Sequence, residues 1–258
     1  VHKIFWGIFA LWLIAFPSAA KQIAIVIDDV GNHKRDLQLL ELPGQLSFSI
    51  LPHTPYSQQF AYMASRANRE LLLHIPMQSL QEKALGPGAL TLDMNKWQLQ
   101  STLGHALATL PQVKGVNNHM GSALTQYTQP MKWTMEVLKK RGLFFLDSRT
   151  TEHTQAQNVA NLYGVENISR HIFLDNEPTF EALTQQLEAL KSKADSARFA
   201  IAIAHPYPQT IAFLKTALPE LTAQGYELVP ISQLVESKYI QLAERQQHQT
   251  QILIPTSD

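Results

Sequence analysis

The run Ile23-Ala24-Ile25-Val26-Ile27 ends directly in Asp28-Asp29. Consecutive apolar residues with no alternation do not suit a strand with one wet face. They suit a strand buried on both faces, as in a parallel sheet. That architecture also fixes where chemistry sits, because α/β sheets and barrels place it at the carboxyl ends of their strands. Two adjacent carboxylates at such an end are costly to desolvate unless something compensates them. A bound cation does so, and so does a proton shared between them. One Asp commonly caps a following helix, but a cap accounts for one carboxylate and not for two.

The rest of the chain repeats the opening pattern. Strand-like runs at residues 23–27, 46–50, 71–75, 115–117, 143–146, 171–173, 199–204 and 227–229 alternate with amphipathic segments at 58–68, 96–110, 130–140, 177–192 and 209–224. Such alternation indicates parallel βαβ units. Seven or eight of them predict an α/β fold, a distorted (β/α) barrel of seven or eight mostly parallel strands. An open doubly wound sheet is the second possibility. No linker divides the chain, so residues 21–236 are expected to form one domain. Residues 237–258 turn polar and Gln-rich and read as a tail.

Residues 1–20 read differently. His2-Lys3 is basic, residues 4–16 are apolar apart from Gly7, and Pro17-Ser18-Ala19-Ala20 offers small residues for cleavage. This is the pattern of a secretory signal peptide. The apolar run is shorter than the ~20 residues that span a bilayer, so an uncleaved anchor ranks second and no stable span is expected after cleavage. The expected location is periplasmic or secreted. The chain has 21 basic and 21 acidic residues, which gives no electrostatic case for nucleic acid. It has no Cys, so any metal site must use His, Asp or Glu.

Polar groups recur where strands end. His53 and His74 follow the second and third runs, Asn117-Asn118-His119 and Ser122 the fourth, Asp147 and Arg149 the fifth, and His205 a late one. Singly, each has a plain structural explanation: a loop former, a packed imidazole, a turn, an ion pair. Together they would converge on one face of a parallel barrel. Carboxylates and imidazoles without thiolates fit Zn²⁺ or another borderline divalent ion. A second carboxylate off the metal would then be free to take a proton from water.

In order along the chain, the segments IVIDDVGN, SILPHTPY, LLLHIPMQ, GVNNHMGS, FLDSRTT and AIAHP resemble the divergent polysaccharide deacetylases. These are a branch of the metal-dependent polysaccharide deacetylases with the NodB-like fold. The resemblance implies hydrolysis of an acetyl group on a glycan. By position it implies Asp28 as general base, Asp29 and His74 as metal ligands, and His205 as the acid that protonates the leaving group. The wider family carries a His-Ser-x-x-His segment, whereas His74 is followed by Ile-Pro-Met-Gln. His119 is therefore the candidate third ligand. The Arg-Pro-Pro-Tyr and Asp-x-Trp motifs are absent too, and Asn118, Ser122, Asp147 and Arg149 are candidates for their substrate-binding or orienting roles. The alternative is a glycan-binding or regulatory envelope protein that kept the barrel and lost the chemistry.

Overall fold

In a computed structural model, residues 21–81 and 83–253 are described, with side chains described as far as residue 245. Residues 1–20, where a signal peptide is expected, lie outside the described residues. The elements run β1 (Lys21–Val30), β2 (Ser47–Ile50), α1 (Ser57–Arg66), β3 (Glu70–Met77), α2 (Lys96–Thr109), β4 (Gly115–Met120), α3 (Thr128–Arg141), β5 (Phe144–Asp147), α4 (Ala156–Tyr163), β6 (Asn167–Ser169), β7 (Ile172–Phe173), α5 (Phe180–Ala197), β8 (Phe199–Ala204), α6 (Pro208–Ala223), β9 (Tyr226–Leu228) and α7 (Ile231–Leu253). A 3-10 helix, Lys34–Glu41, follows β1.

Every strand pairing is parallel, in the order β6-β5-β4-β3-β2-β1-β8-β7. The ninth strand, β9, pairs with Lys21–Ile23 of β1. Eight strands thus form the continuous path, and β9 adds one more beside the start of β1.

Two apolar cores show that the sheet curls. The outer core packs α1 to α6 against one sheet face, through residues such as Phe60, Leu103, Met135, Leu190 and Leu214. The inner core gathers Ala24, Val26, Leu72, Leu146, Ile201 and Ile203 from four different strands. Only a curled sheet brings those side chains together. Ile231, Leu234 and Val235 at the start of α7 join them and close the amino-terminal mouth. This is a distorted half-barrel with a packed interior, not an open sheet with helices on both faces.

Side chains alternate along a strand, so the inward positions are fixed. Continuing the inner rows toward the carboxyl end gives Asp28 after Val26, His74 after Leu72, Ser148 after Leu146, and His205 after Ile203. The lumen is apolar at its floor and polar at its open mouth.

Candidate metal centre

Adjacent residues on a regular strand point to opposite faces, yet both carboxylates of Asp28-Asp29 reach the same imidazole. His74 Nε2 lies 3.1 Å from Asp29 Oδ1 and 3.6 Å from Asp28 Oδ2. A bulge makes this possible. Pairing steps from Ile27↔Phe48 to Val30↔Ile50, so β1 holds one residue more than β2 over that stretch. Asp29 takes up the bend in the left-handed region, with φ at 59°. Non-glycine residues adopt that conformation at a cost, and such strain clusters at functional sites.

His119 completes the group. It lies two residues beyond Asn117 on β4, and Asn117 is in register with His74. The same face therefore carries all three. His119 Nδ1 is 2.8 Å from Asp29 Oδ1 and 3.2 Å from His74 Nε2. One ligand atom from each of Asp29, His74 and His119 falls within 4.8 Å of the others.

The donor set fits a divalent cation. Asp29 Oδ1 is buried and makes no aligned hydrogen bond, despite its two short approaches to imidazole nitrogen. A cation held between this oxygen and the two rings would satisfy it. His74 Nδ1 is 2.8 Å from Asn117 Oδ1 and donates to it, which leaves the Nε2 lone pair facing the carboxylate. His74 is buried, while Asp29 and His119 are partly exposed, so the centre opens to solvent on one side.

Electrostatics separate the two carboxylates. Burial raises the Asp28 carboxyl above its ordinary value, against the lowering influence of His74 and His205. Burial works the same way on Asp29, but its short contacts with His119 and His74 win and hold it well below the usual range. His74 is raised: burial would lower it, but Asp28 and Asp29 beside it outweigh burial. One carboxyl is thus kept basic and its neighbour is kept ionised.

Asn117 links the two. It is fully buried, and its Nδ2 donates to Asp28 Oδ1 at 2.9 Å and to Oδ2 at 3.0 Å. Its Oδ1 accepts from His74 and from the Ser49 hydroxyl. One amide therefore orients the proposed base and a proposed ligand together.

His205 has its own orienting partner. Asp175, two residues past β7, accepts from His205 Nδ1 at 2.9 Å, from its backbone N at 2.6 Å and from Thr210 Oγ1 at 2.9 Å. Burial alone would lower the imidazole, but Asp175 lifts it to about 9. His205 is therefore protonated at neutral pH.

The other sequence candidates have different surroundings. Asn118 points away from Asn117: its Nδ2 donates to the Met120 carbonyl, and its Oδ1 accepts from Ser148 N. Ser122 accepts from Leu80 N and ties down the loop after β3. Asp147 accepts from Arg149 N and Thr154 Oγ1 and folds the loop after β5. The Arg149 side chain faces a separate groove. Sequence reasoning noted Asn117 at a strand end but gave it no role, and did not name Asp175. Strand alternation points to Asn117, since it and His119 must share a face. Asp175 sits just beyond a strand end, as the other candidates do.

The geometry has an independent counterpart in sequence. Residues 25–235 match the family model described as divergent polysaccharide deacetylase. This chain belongs to that family. The family is described by a deacetylase activity on polysaccharide, and this chain carries an Asp/His/His set able to hold a metal ion. It is 38% identical over 208 residues to an uncharacterized protein of Haemophilus influenzae, covering 80% of this chain and 74% of that one. Its fold is similar to the crystal structure of the uncharacterized protein ATU2773 from Agrobacterium tumefaciens C58, with TM-score 0.81 and 23% identity over 85% of this chain and 91% of that chain. It is also similar to the structure of the peptidoglycan deacetylase PdaC from Bacillus subtilis, with TM-score 0.53 and 15% identity over 90% and 98% of the two chains. At that identity the likeness concerns the fold alone.

Proposed function

We propose that this chain is an exported zinc-dependent hydrolase that removes acetyl groups from a cell-envelope glycan, peptidoglycan among the candidates. The observation that carries the reading is the convergence of Asp29, His74 and His119 beside a second, basic carboxylate and a protonated imidazole. Zinc is favoured by a neutral-nitrogen and carboxylate set that leaves one side open. A zinc ion held there would acidify water and polarise the acetyl carbonyl. Asp28, held by Asn117, accepts the proton that water gives up on attack. His205, held by Asp175, donates a proton to the departing amine or alcohol. A groove of about 210 Å³ beside Asp29 and His119, walled by Pro52, Pro76 and Pro87, offers room for the acetylated sugar. Export rests on the leader-like pattern of residues 2–20.

The test compares two neighbouring variants for bound zinc and for acetate released from peptidoglycan and chitooligosaccharides. Asp29→Ala should lose zinc and activity together. Asp28→Asn should keep zinc and lose turnover by about 10²–10⁴-fold, the scale of one acid–base group. Full zinc occupancy in Asp29→Ala would overturn the ligand assignment. No acetate from any glycan with zinc in place would overturn the deacetylase reading.

A further inference from the structure

A second groove, of about 530 Å³, is lined by residues of the loop after β5, the β6–β7 turn, β7 and α5. Arg149, Arg170 and Lys193 face it against one carboxylate, Glu152. Among the described residues, no ion pair joins any of these four to a partner.

Arg170 is built into the wall. Its Nε donates to the Ser148 carbonyl at 2.7 Å, and one Nη donates to the Arg149 carbonyl at 2.9 Å. Its guanidinium lies 3.6 Å over the Phe173 ring. Burial lowers it to about 10, which still leaves it charged at neutral pH. A fixed guanidinium with donors left over is the group that recognises carboxylate or phosphate.

The groove is coupled to the reacting end of the site. The Phe173 ring that Arg170 covers stacks on His205, with centroids 6.1 Å apart and planes at 25°. Ser148, whose carbonyl Arg170 holds, receives Asn117 Nδ2 on its hydroxyl at 3.3 Å. Arg170, which lines the groove, is thus one aromatic ring away from the imidazole proposed to protonate the leaving group.

We propose that this groove binds an anionic substituent, carboxylate or phosphate, carried by the glycan next to the sugar that loses its acetyl group. The inference rests on the deacetylase reading above and narrows its substrate to acidic polysaccharides.

Binding to the zinc-loaded protein, measured by calorimetry, tests it without requiring turnover. The probes are a tetrasaccharide alternating N-acetylglucosamine with glucuronate, a phosphodiester-bearing N-acetylglucosamine oligomer, and neutral chitotetraose. At least one acidic probe should bind more tightly than chitotetraose, and the better of the two identifies the anion. Lys193→Gln should weaken that probe roughly threefold and Glu152→Gln should strengthen it by a similar factor, the scale of one exposed charge contact. Neither change should move chitotetraose binding. Both residues are exposed, so loss of folding does not confuse the result. Equal affinity for acidic and neutral probes, or no opposite response from the two variants, would overturn the inference. If the binding pattern holds but no probe releases acetate, the deacetylase reading falls and the anion groove stands.

Discussion

At His205 the geometry sets a charge state, and the charge state sets a pH dependence. Asp175 raises the imidazole from 6.5 to about 9. Its contribution to stability is therefore fully present below about pH 6.5 and is lost as pH rises through about 9. The shift is equivalent to about 3 kcal/mol. The same proton is the one proposed to leave with the product, so activity should fall on the alkaline side over the same interval. Asp175→Asn keeps the side-chain shape and removes the charge. It should bring the His205 midpoint back toward 6.5, as followed by NMR titration of the ring, and move the alkaline limb of the rate profile down with it. A midpoint that stays near 9 would show that Asp175 does not set the proton. Asp28 and Asp29 teach a related lesson. Neighbours in sequence with the same side chain, they are driven in opposite directions because burial dominates at Asp28, while at Asp29 short contacts with two imidazoles outweigh it.

At the scale of elements, the strand ends do most of the positioning, and the bulge in β1 is the most constrained of them. Gly31 follows it with φ at 113°, and a Cβ there would come 2.6 Å from Thr54 Oγ1 and 3.1 Å from Ser57 Cα. The Thr54 hydroxyl is held by the Leu51 carbonyl, and Ser57 offers backbone, so neither yields easily. Gly31 N also donates to the buried Asp36 carboxylate. Gly31→Ala should cost about 1–3 kcal/mol in denaturant unfolding. It should also weaken zinc binding, because the chain that carries Asp29 must shift. Unchanged zinc affinity would mean that the bulge is held elsewhere.

The same scale explains what the sequence could show. Long apolar runs such as Ile23–Ile27 and Phe199–Ala204 announce strands because both faces are buried. The strand Asn167–Ser169 has three residues, two of them polar, and no pattern that local propensity can reveal. Its Asn167 side chain is satisfied by distant Tyr239 and by Asn161 on the preceding helix. The eight-residue α4 is too short for a firm helical period, and tertiary packing of Ala156, Val159 and Ala160 fixes it. In the site, ligating side chains at strand ends were visible as residue types. The alternation that sets Asn117 inward and Asn118 outward needed the exact register of β4, and the pairing of Asp175 with His205 needed the neighbouring strands β7 and β8.

On the scale of the whole molecule, the barrel has a floor as well as a mouth, and the floor depends on the start of α7. The match to the family runs to residue 235, and Val235 is also the last residue of the inner core. The first turn of a helix leaves backbone N–H groups without partners. Here Ile231 N donates to Ser47 Oγ at 3.0 Å and Ser232 N to Glu70 Oε1 at 3.1 Å, while Ser47 Oγ donates to the same carboxylate oxygen at 2.8 Å. Glu70 is buried at the amino end of β3, whereas His74 lies further along the strand toward the mouth. A carboxylate at a helix amino terminus is favoured by the helix dipole as well as by its hydrogen bonds. Glu70→Ala removes both and leaves one buried and one partly buried donor unmet, so it should cost about 2–3 kcal/mol. Glu70→Gln should cost less, because the amide oxygen can still accept at the Oε1 position. Because three residues of β3 separate the cap from His74, zinc affinity should be the same in both variants. Denaturant midpoints and zinc titrations read the two effects separately. If Glu70→Ala weakened zinc binding as much as it weakened folding, floor and mouth would be one cooperative unit, and the helix cap would be part of the site.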